Sequence, residues 1–478
     1  MSKSTAAPTR ERFSSRMGFL LISAGCAVGL GNVWRFPYIT GEYGGAAFIV
    51  MYLAFLVLFA LPILVMEFTI GRASQKGAGA AFEALEPEGS KWHRLKWLNY
   101  AGTYILMMFY TTVAGWLLAF TVKSAQGLFV GLSAEQVSRV FADMLANPGE
   151  QLVYMALVVV IGLLCTGAGL KNGVERVSKA MMSCLFIIIV LLAIRAVTLP
   201  GAEAGLAFYL IPDFSVLTQN GVAGLWEAVY AAMGQAFFTL SIGIGAMMIF
   251  GSYIDKDRSL PGETLRICLI DTFVAIMAGL IIFPACFAFG VEPGSGPSLV
   301  FITLPSVFEM MPLGQLWCTL FFLFMTFAAL STVIAVFEAI MAFSMDSWGW
   351  NRRRAVVVNG VAIFVLSLPC LLGFNVLSDV TIPGIGDIQS IEDFVVSNNL
   401  LPIGGLCYLL FCTRKNGWGF DNFLAEADAG QGLKFPAGKL LRGYISYVLP
   451  LLIVVVLVMG WLPVLGTWFA PLLGSFGA

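Results

Sequence analysis

Apolar positions along this chain come in long unbroken runs, not at every second residue. Runs of about 18 residues or more cross roughly 30 Å of hydrocarbon as helices, whereas barrel strands read as short alternating segments. The pattern predicts eleven membrane helices, near 17–38, 46–71, 97–125, 151–169, 178–199, 223–253, 268–290, 314–345, 355–374, 396–412 and 443–464. The stretch 301–312 reads as a short external helix, and the tail beyond Trp461, broken by Gly and Pro, as no further span.

Composition agrees: 59% of residues are hydrophobic and 12% charged, against about half and a quarter in soluble domains. A soluble binding module is thereby excluded. The nine cysteines sit in or beside apolar runs at spacings that suggest neither zinc nor a disulfide framework, so they read as small hydrophobes. His93 is the only histidine and lies in a charged loop, which speaks against histidine chemistry. The polar, basic N-terminus leads straight into the first run, so no cleavable signal is expected.

The net charge of −1 says little, but its distribution orients the chain. Alternate loops carry Arg10, Arg12, Arg16, Arg72, Lys76, Lys171, Arg176, Lys179, Lys256, Arg258 and the run Arg352 to Arg354. The other side keeps Lys123, Arg139 and Arg195, with acids such as Asp379, Asp387, Glu392 and Asp393. Basic residues stay inside. The N-terminus is therefore expected in the cytoplasm and, after eleven spans, the C-terminus outside.

Two runs are interrupted by glycine near their middles: Gly25 to Asn32 in the first and Thr239 to Gly245 in the sixth. Each opens a set of five spans, and an odd number inverts the second set against the first. Paired interrupted helices in inverted halves point to a transporter's midplane binding site. The competing reading is close helix packing, since Gly25 and Gly29 also form a GxxxG pattern.

Polar residues beside the breaks favour a site. A broken helix frees backbone groups that lipid cannot satisfy. Asn32 and Thr239 add neutral oxygens suited to a hard cation such as Na⁺. Ser331 and Thr332 place two hydroxyls in the eighth run, where bonding back to the preceding turn is the alternative. Three carboxylates also lie in apolar runs, an expensive placement that usually marks function. Glu67 reads as a scaffold accepting amides freed at a break, and Asp271 as part of an ion site or as scaffold. Glu338 is either functional or solvated near a helix end.

The stretch Ala24-Gly25-Cys26-Ala27-Val28-Gly29-Leu30-Gly31-Asn32-Val33-Trp34-Arg35-Phe36-Pro37 resembles the neurotransmitter:sodium symporter family, bacterial branch. Tyr43 to Phe48, Glu67 with Gly71 and Arg72, Lys171 to Arg176, and Gly234 to Ser241 support it, over about residues 10 to 460. That family has the leucine-transporter fold, in which paired broken helices line the binding site. The resemblance implies an all-α membrane fold with an inverted 5+5 repeat and broken first and sixth helices. Its parts would be an N-terminal latch (1–16), two five-helix repeats (17–199 and 223–412), an eleventh helix (443–464) and an external tail (465–478).

The resemblance further implies two Na⁺ sites. One involves Ala27, Asn32, Thr239 and Asp271, and the other Gly25, Val28, Ala328, Ser331 and Thr332. Substrate would contact Ala27, Gly29, Leu30, Gly31, Leu106, Tyr110, Phe238, Thr239, Ser241, Ile244, Ser331, Val333 and Val336. Arg35 with Asp393 resembles the external gate, and Arg10 with Asp346, near Tyr253, the internal one. Asp271 would stand in for chloride, making transport chloride-independent, and leaves proton antiport open. Phe13 stands where a tryptophan is common in the latch, and Ser183 where several relatives place a proline, which puts a proline-assisted inner hinge in doubt.

The expected activity is Na⁺-coupled symport of neutral, mainly hydrophobic amino acids across a bacterial inner membrane. It needs the lipid bilayer but no nucleic acid, and a single chain suffices. Another small zwitterion remains an alternative substrate. A channel would need repeated pore rings and an enzyme a catalytic constellation, and the sequence supplies neither.

Overall fold

The computed structural model describes residues 11–219, 221–291 and 297–474. Among these, nine helices are long and apolar enough to cross a membrane: Ala46–Ser74, Trp92–Ala125, Pro148–Gly167, Leu170–Val197, Leu260–Ala288, Gly314–Trp348, Arg352–Leu372, Ile388–Thr413 and Lys439–Phe469. Ahead of them, Arg16–Ala27 and Gly31–Glu42 form one span bent by 56°. Between Leu170–Val197 and Leu260–Ala288 stand Gly221–Thr239 and Ala246–Gly251, parted by the non-helical stretch 240–245. With each broken pair taken as one span, these are numbered first to eleventh in chain order.

Local chemistry sets the breaks. Ser15 caps the first half-helix, its Oγ accepting the Gly18 amide at 3.1 Å. That helix ends at Ala27, and the chain turns before resuming at Gly31. In the sixth span Ser241, Gly243 and Gly245 all have positive φ (50°, 103° and 76°). Gly243 has no substitute, because a Cβ there would sit 2.1 Å from the Leu401 carbonyl oxygen.

A second regularity concerns proline. Widened π-turns occupy Gly31–Arg35, Leu56–Ala60, Leu299–Thr303, Val396–Leu400 and Tyr444–Val448. Each ends two residues before a proline: Pro37, Pro62, Pro305, Pro402 and Pro450. A proline inside a helix lacks the N–H for the carbonyl four residues back and clashes with it. One extra residue in the preceding turn relieves that clash. The turn Leu170–Glu175 has no such proline and follows Gly169 at φ 90° instead.

The eighth span is the structure's axis. Its apolar stretch is 83% buried, against 28% for the eleventh span. It packs on the first, third, fourth and fifth spans. The short helix expected near 301–312 is found at Leu299–Glu309, where Phe301 meets Phe120, Phe141 and Trp34 at ring distances of 4.9, 4.8 and 6.3 Å. One expectation fails at the chain's end: the eleventh helix does not stop at 464 but runs on to Gly474. Trp468 holds that extension, donating to the Pro383 carbonyl at 2.7 Å and meeting Trp461 at 6.1 Å.

Candidate ion and substrate site

The two breaks face each other, and the carboxylate expected beside them lies between them. Asn32 Nδ2 donates to Asp271 Oδ1 at 2.8 Å, to the Asp271 carbonyl at 3.1 Å and to Thr239 Oγ1 at 3.3 Å. Thr239 Oγ1 donates to Asp271 Oδ2 at 2.9 Å. Asn32 Oδ1 accepts the Gly29 amide at 3.1 Å, and Gln235 Nε2 donates to the Gly31 carbonyl at 3.0 Å. Asn32, Thr239 and Asp271 are all buried, so the first, sixth and seventh spans share one polar knot.

A second cluster joins the first and eighth spans. Ser331 Oγ lies 2.9 Å from the Gly25 carbonyl oxygen and 2.8 Å from that of Ala328. Thr332 Oγ1 lies 3.3, 3.2 and 3.4 Å from the carbonyls of Gly25, Val28 and Ala328. Two hydroxyls and three carbonyls thus converge, two of the carbonyls belonging to the frayed end of the first half-helix. Both hydroxyls do bond back to Ala328, the packing alternative, yet each also reaches across to the other helix. Five neutral oxygens without sulfur or imidazole form a donor set for a hard monovalent cation.

Beside the clusters lies a small cavity lined by Ala27, Gly29, Leu30, Gly31, Leu106, Tyr110, Phe238, Ser241, Ile244, Thr332, Val396 and Leu401. No lining residue is charged. Four residues expected there, Thr239, Ser331, Val333 and Val336, do not line it. Ser331 is turned to the Gly25 and Ala328 carbonyls. Val333 packs on the fourth span, 3.1 Å from where a Gly162 Cβ would stand. Val336, a turn past Thr332, is buried beyond the cavity. Thr239 belongs to the polar knot. Residue reasoning missed Val396 and Leu401, although Pro402 marked the irregular turn that presents them. It also assigned Thr332 to an ion alone.

Tyr110 closes one wall: its hydroxyl accepts the Leu30 amide at 3.4 Å. A Cβ on Gly29 would stand 2.5 Å from that hydroxyl and 3.0 Å from Thr332 Oγ1, so any side chain there displaces both. Above the cavity, the Arg35 guanidinium lies 4.6 Å over the Phe238 ring. Among the described residues no ion pair joins it to Asp393, whose Oδ1 instead accepts from Ser397 at 2.7 Å.

Glu67 is buried and accepts the Gly243 and Met247 amides, both at 3.1 Å. These are donors released by the sixth-span break. An orphaned buried donor costs about 1–3 kcal/mol. Glu67→Ala should therefore lower the unfolding temperature of the purified protein by several degrees, and Glu67→Gln, which keeps one acceptor, by less. An unchanged melting curve for the alanine variant would remove Glu67 from the scaffold.

At the basic end Tyr253 donates to Glu338 Oε1 at 2.9 Å, and Arg352 pairs with Glu338 at 2.8 Å. Glu338 is therefore buried and paired, not solvated. Phe13 packs edge-on to Tyr253 at 5.7 Å, and Glu11 reaches Arg352 at 3.3 Å. Asp346 Oδ2 accepts the Gly77 amide at 2.7 Å, and Arg10, its expected partner, lies outside the described residues.

The profile of the sodium:neurotransmitter symporter family matches residues 10–130 and 129–465. The chain belongs to that family. It is similar to the uncharacterized sodium-dependent transporter YhdH of Bacillus subtilis, 38% identical over 453 residues, covering 93% of this chain and 96% of that protein. An uncharacterized sodium-dependent transporter of Haemophilus influenzae is 32% identical, covering 94% and 98%. The human sodium- and chloride-dependent GABA transporter 2 is 28% identical over 74% of this chain and 65% of its own. The crystal structure of MhsT in complex with L-phenylalanine superposes with a TM-score of 0.83 at 39% identity, over 94% of this chain and all of that one. The fold is thus the leucine-transporter fold, and the family's activity is sodium-coupled transport, not catalysis.

Proposed function

We propose that this symporter takes up neutral, mainly apolar α-amino acids with Na⁺ and needs no chloride. One observation carries the substrate class: the cavity between the breaks has no charged lining residue. Burying a charged side chain there would be costly. The half-helix that begins at Gly31 and the Tyr110 hydroxyl offer a positive dipole end and a donor to a carboxylate. A side chain at Gly29 would displace the Tyr110 hydroxyl and Thr332 Oγ1, and the cavity holds no carboxylate to pair with an amine. The L-phenylalanine held by MhsT, 39% identical, agrees with this reading.

In this proposal Asn32, Thr239, Asp271 and the Ala27 carbonyl hold one Na⁺ beside the substrate carboxylate, and the five-oxygen cluster holds the second. The basic end faces the cytoplasm of a bacterial inner membrane, and one chain suffices. Arg35 over Phe238, with Asp393 above, closes the outer path. Arg10, Asp346 and Tyr253 close the inner one.

The test is thermal stabilisation of the purified protein by each amino acid in NaCl and in KCl. Apolar neutral amino acids should stabilise it in NaCl only. Glutamate, lysine and phenylethylamine (phenylalanine without its carboxylate) should not. Equal stabilisation in both salts would overturn the sodium coupling, and tight binding of the amine would overturn the amino-acid reading. A response confined to another zwitterion would redirect the substrate class.

A further inference from the structure

At the basic end, beside the fifth span, lies an open surface pocket that shares Lys171 with the wide mouth lined by Asp346 and Tyr253. Its walls include Ser14, Lys171, Glu175, Arg176, Lys179 and Ser183. Glu175 is already engaged: it accepts from the Ser14 amide at 2.8 Å, from Ser14 Oγ at 2.5 Å and from Lys179 Nζ at 2.6 Å. Three cations against one satisfied carboxylate leave an excess of positive charge. The exposed helical face that starts at Arg176 continues through Ala180 and Ser183, then turns wholly apolar at Ile187, Leu191 and Ile194. Ile187, Leu191 and Ile194 are 63%, 47% and 55% exposed.

We propose that this pocket binds the phosphate headgroup of an anionic phospholipid, whose acyl chain lies along the Ile187 to Ile194 face. The headgroup's charge matches Lys171, Arg176 and Lys179, and basic pockets at helix ends hold such lipids. The apolar face beneath the charges selects a lipid over free phosphate, which has no tail to bury. The site also touches the N-terminal segment. Lys179 Nζ bonds Ser15 Oγ at 2.8 Å, and Ser14 hangs on Glu175. A headgroup held by Lys179 and Arg176 therefore reinforces the attachment of residues 14 and 15 to the fifth span.

The experiment compares the full chain with Lys171→Gln/Arg176→Gln and Arg353→Gln/Arg354→Gln double variants. The last two positions are basic residues at the same end but away from the pocket. Each is purified in detergent and mixed with phosphatidylglycerol, phosphatidylcholine or glycerol phosphate. Retained lipid is read by native mass spectrometry and stability by thermal unfolding. Wild type and the 353/354 variant should retain one phosphatidylglycerol and gain several degrees from it, with no gain from the other two ligands. The 171/176 variant should lose at least tenfold in retention. Equal loss by both double variants would reduce the effect to overall charge, and retention by the 171/176 variant equal to that of wild type would overturn the site. A gain from glycerol phosphate equal to that from the lipid would overturn the choice of ligand. Amino-acid stabilisation in NaCl, measured in parallel, reports separately on the transport reading.

Discussion

Removing the Ser331 hydroxyl should raise the sodium concentration for half-maximal substrate binding by about 10- to 100-fold. Ser331 Oγ and Thr332 Oγ1 supply the two side-chain oxygens of a cluster otherwise built from carbonyls of Gly25, Val28 and Ala328. A polar contact to a charged group contributes about 1.5–3 kcal/mol, and each 1.4 kcal/mol is a factor of ten. Ser331 is the cleaner probe because it does not line the substrate cavity, whereas Thr332 does. Ser331→Ala should therefore leave substrate affinity at saturating Na⁺ near that of the wild type. Ser331→Ala/Thr332→Ala should lose both, because Thr332 stands between the ion cluster and Tyr110. The measurement is a Na⁺ titration of radiolabelled amino-acid binding at fixed substrate. A Ser331→Ala curve overlying that of the wild type would place the ion elsewhere.

The coupling has a physical route. Val28 and Gly25 end the first half-helix, Gly29 follows, and the Leu30 amide meets Tyr110. An ion that fixes the carbonyls at 25 and 28 also fixes the wall on which substrate rests. Coupling free energy is reciprocal, so substrate must raise sodium affinity by the same factor.

These features were legible in the sequence to different degrees, for identifiable reasons. Glycines with polar residues beside them pointed to both breaks, since Gly29, Gly31, Gly243 and Gly245 alone also suit close helix packing. Asn32, Thr239 and Asp271 stood out because polar groups in apolar runs are costly. Which face a residue presents was less visible. Val333 follows Thr332 immediately, yet one helical step of about 100° carries it from the cavity to Gly162 on the fourth span. Val336 shares the face of Thr332 but lies about 6 Å further along the axis at 1.5 Å per residue. Val396 and Leu401 were missed because the tenth span looks like an ordinary apolar helix until the clash ahead of Pro402 is considered. Glu338 could not be matched to Arg352 by helical spacing, since the chain reverses at Gly349 between them.

Asp271→Ser should abolish transport in chloride-free buffer and recover part of it when chloride is added. The contacts of Asp271 show why. Asp271 takes a proton donor on each carboxylate oxygen, Asn32 on one and Thr239 on the other, and both residues are assigned to the first sodium site. Loading two Na⁺ and a substrate ammonium adds three positive charges, which the substrate carboxylate offsets by one. A fixed carboxylate nearby supplies another, and at an effective dielectric of 20 two unit charges 4 Å apart interact by roughly 4 kcal/mol. Serine vacates space and removes that charge, so a small anion can enter in its place. Chloride cannot repeat a second property of the carboxylate. A carboxyl, unlike chloride, can carry a proton on the return step after cations and substrate have left. Carrying that proton back outward would couple uptake to an inside-acid gradient. Proteoliposome uptake of a labelled apolar amino acid separates these effects. The wild type should be indifferent to chloride and accelerated by internal acid. The serine variant should respond to chloride and not to internal acid. A serine variant that works equally well with and without chloride would show that Asp271 carries no charge the cycle requires. A wild type blind to internal acid would confine Asp271 to holding Asn32 and Thr239 in place.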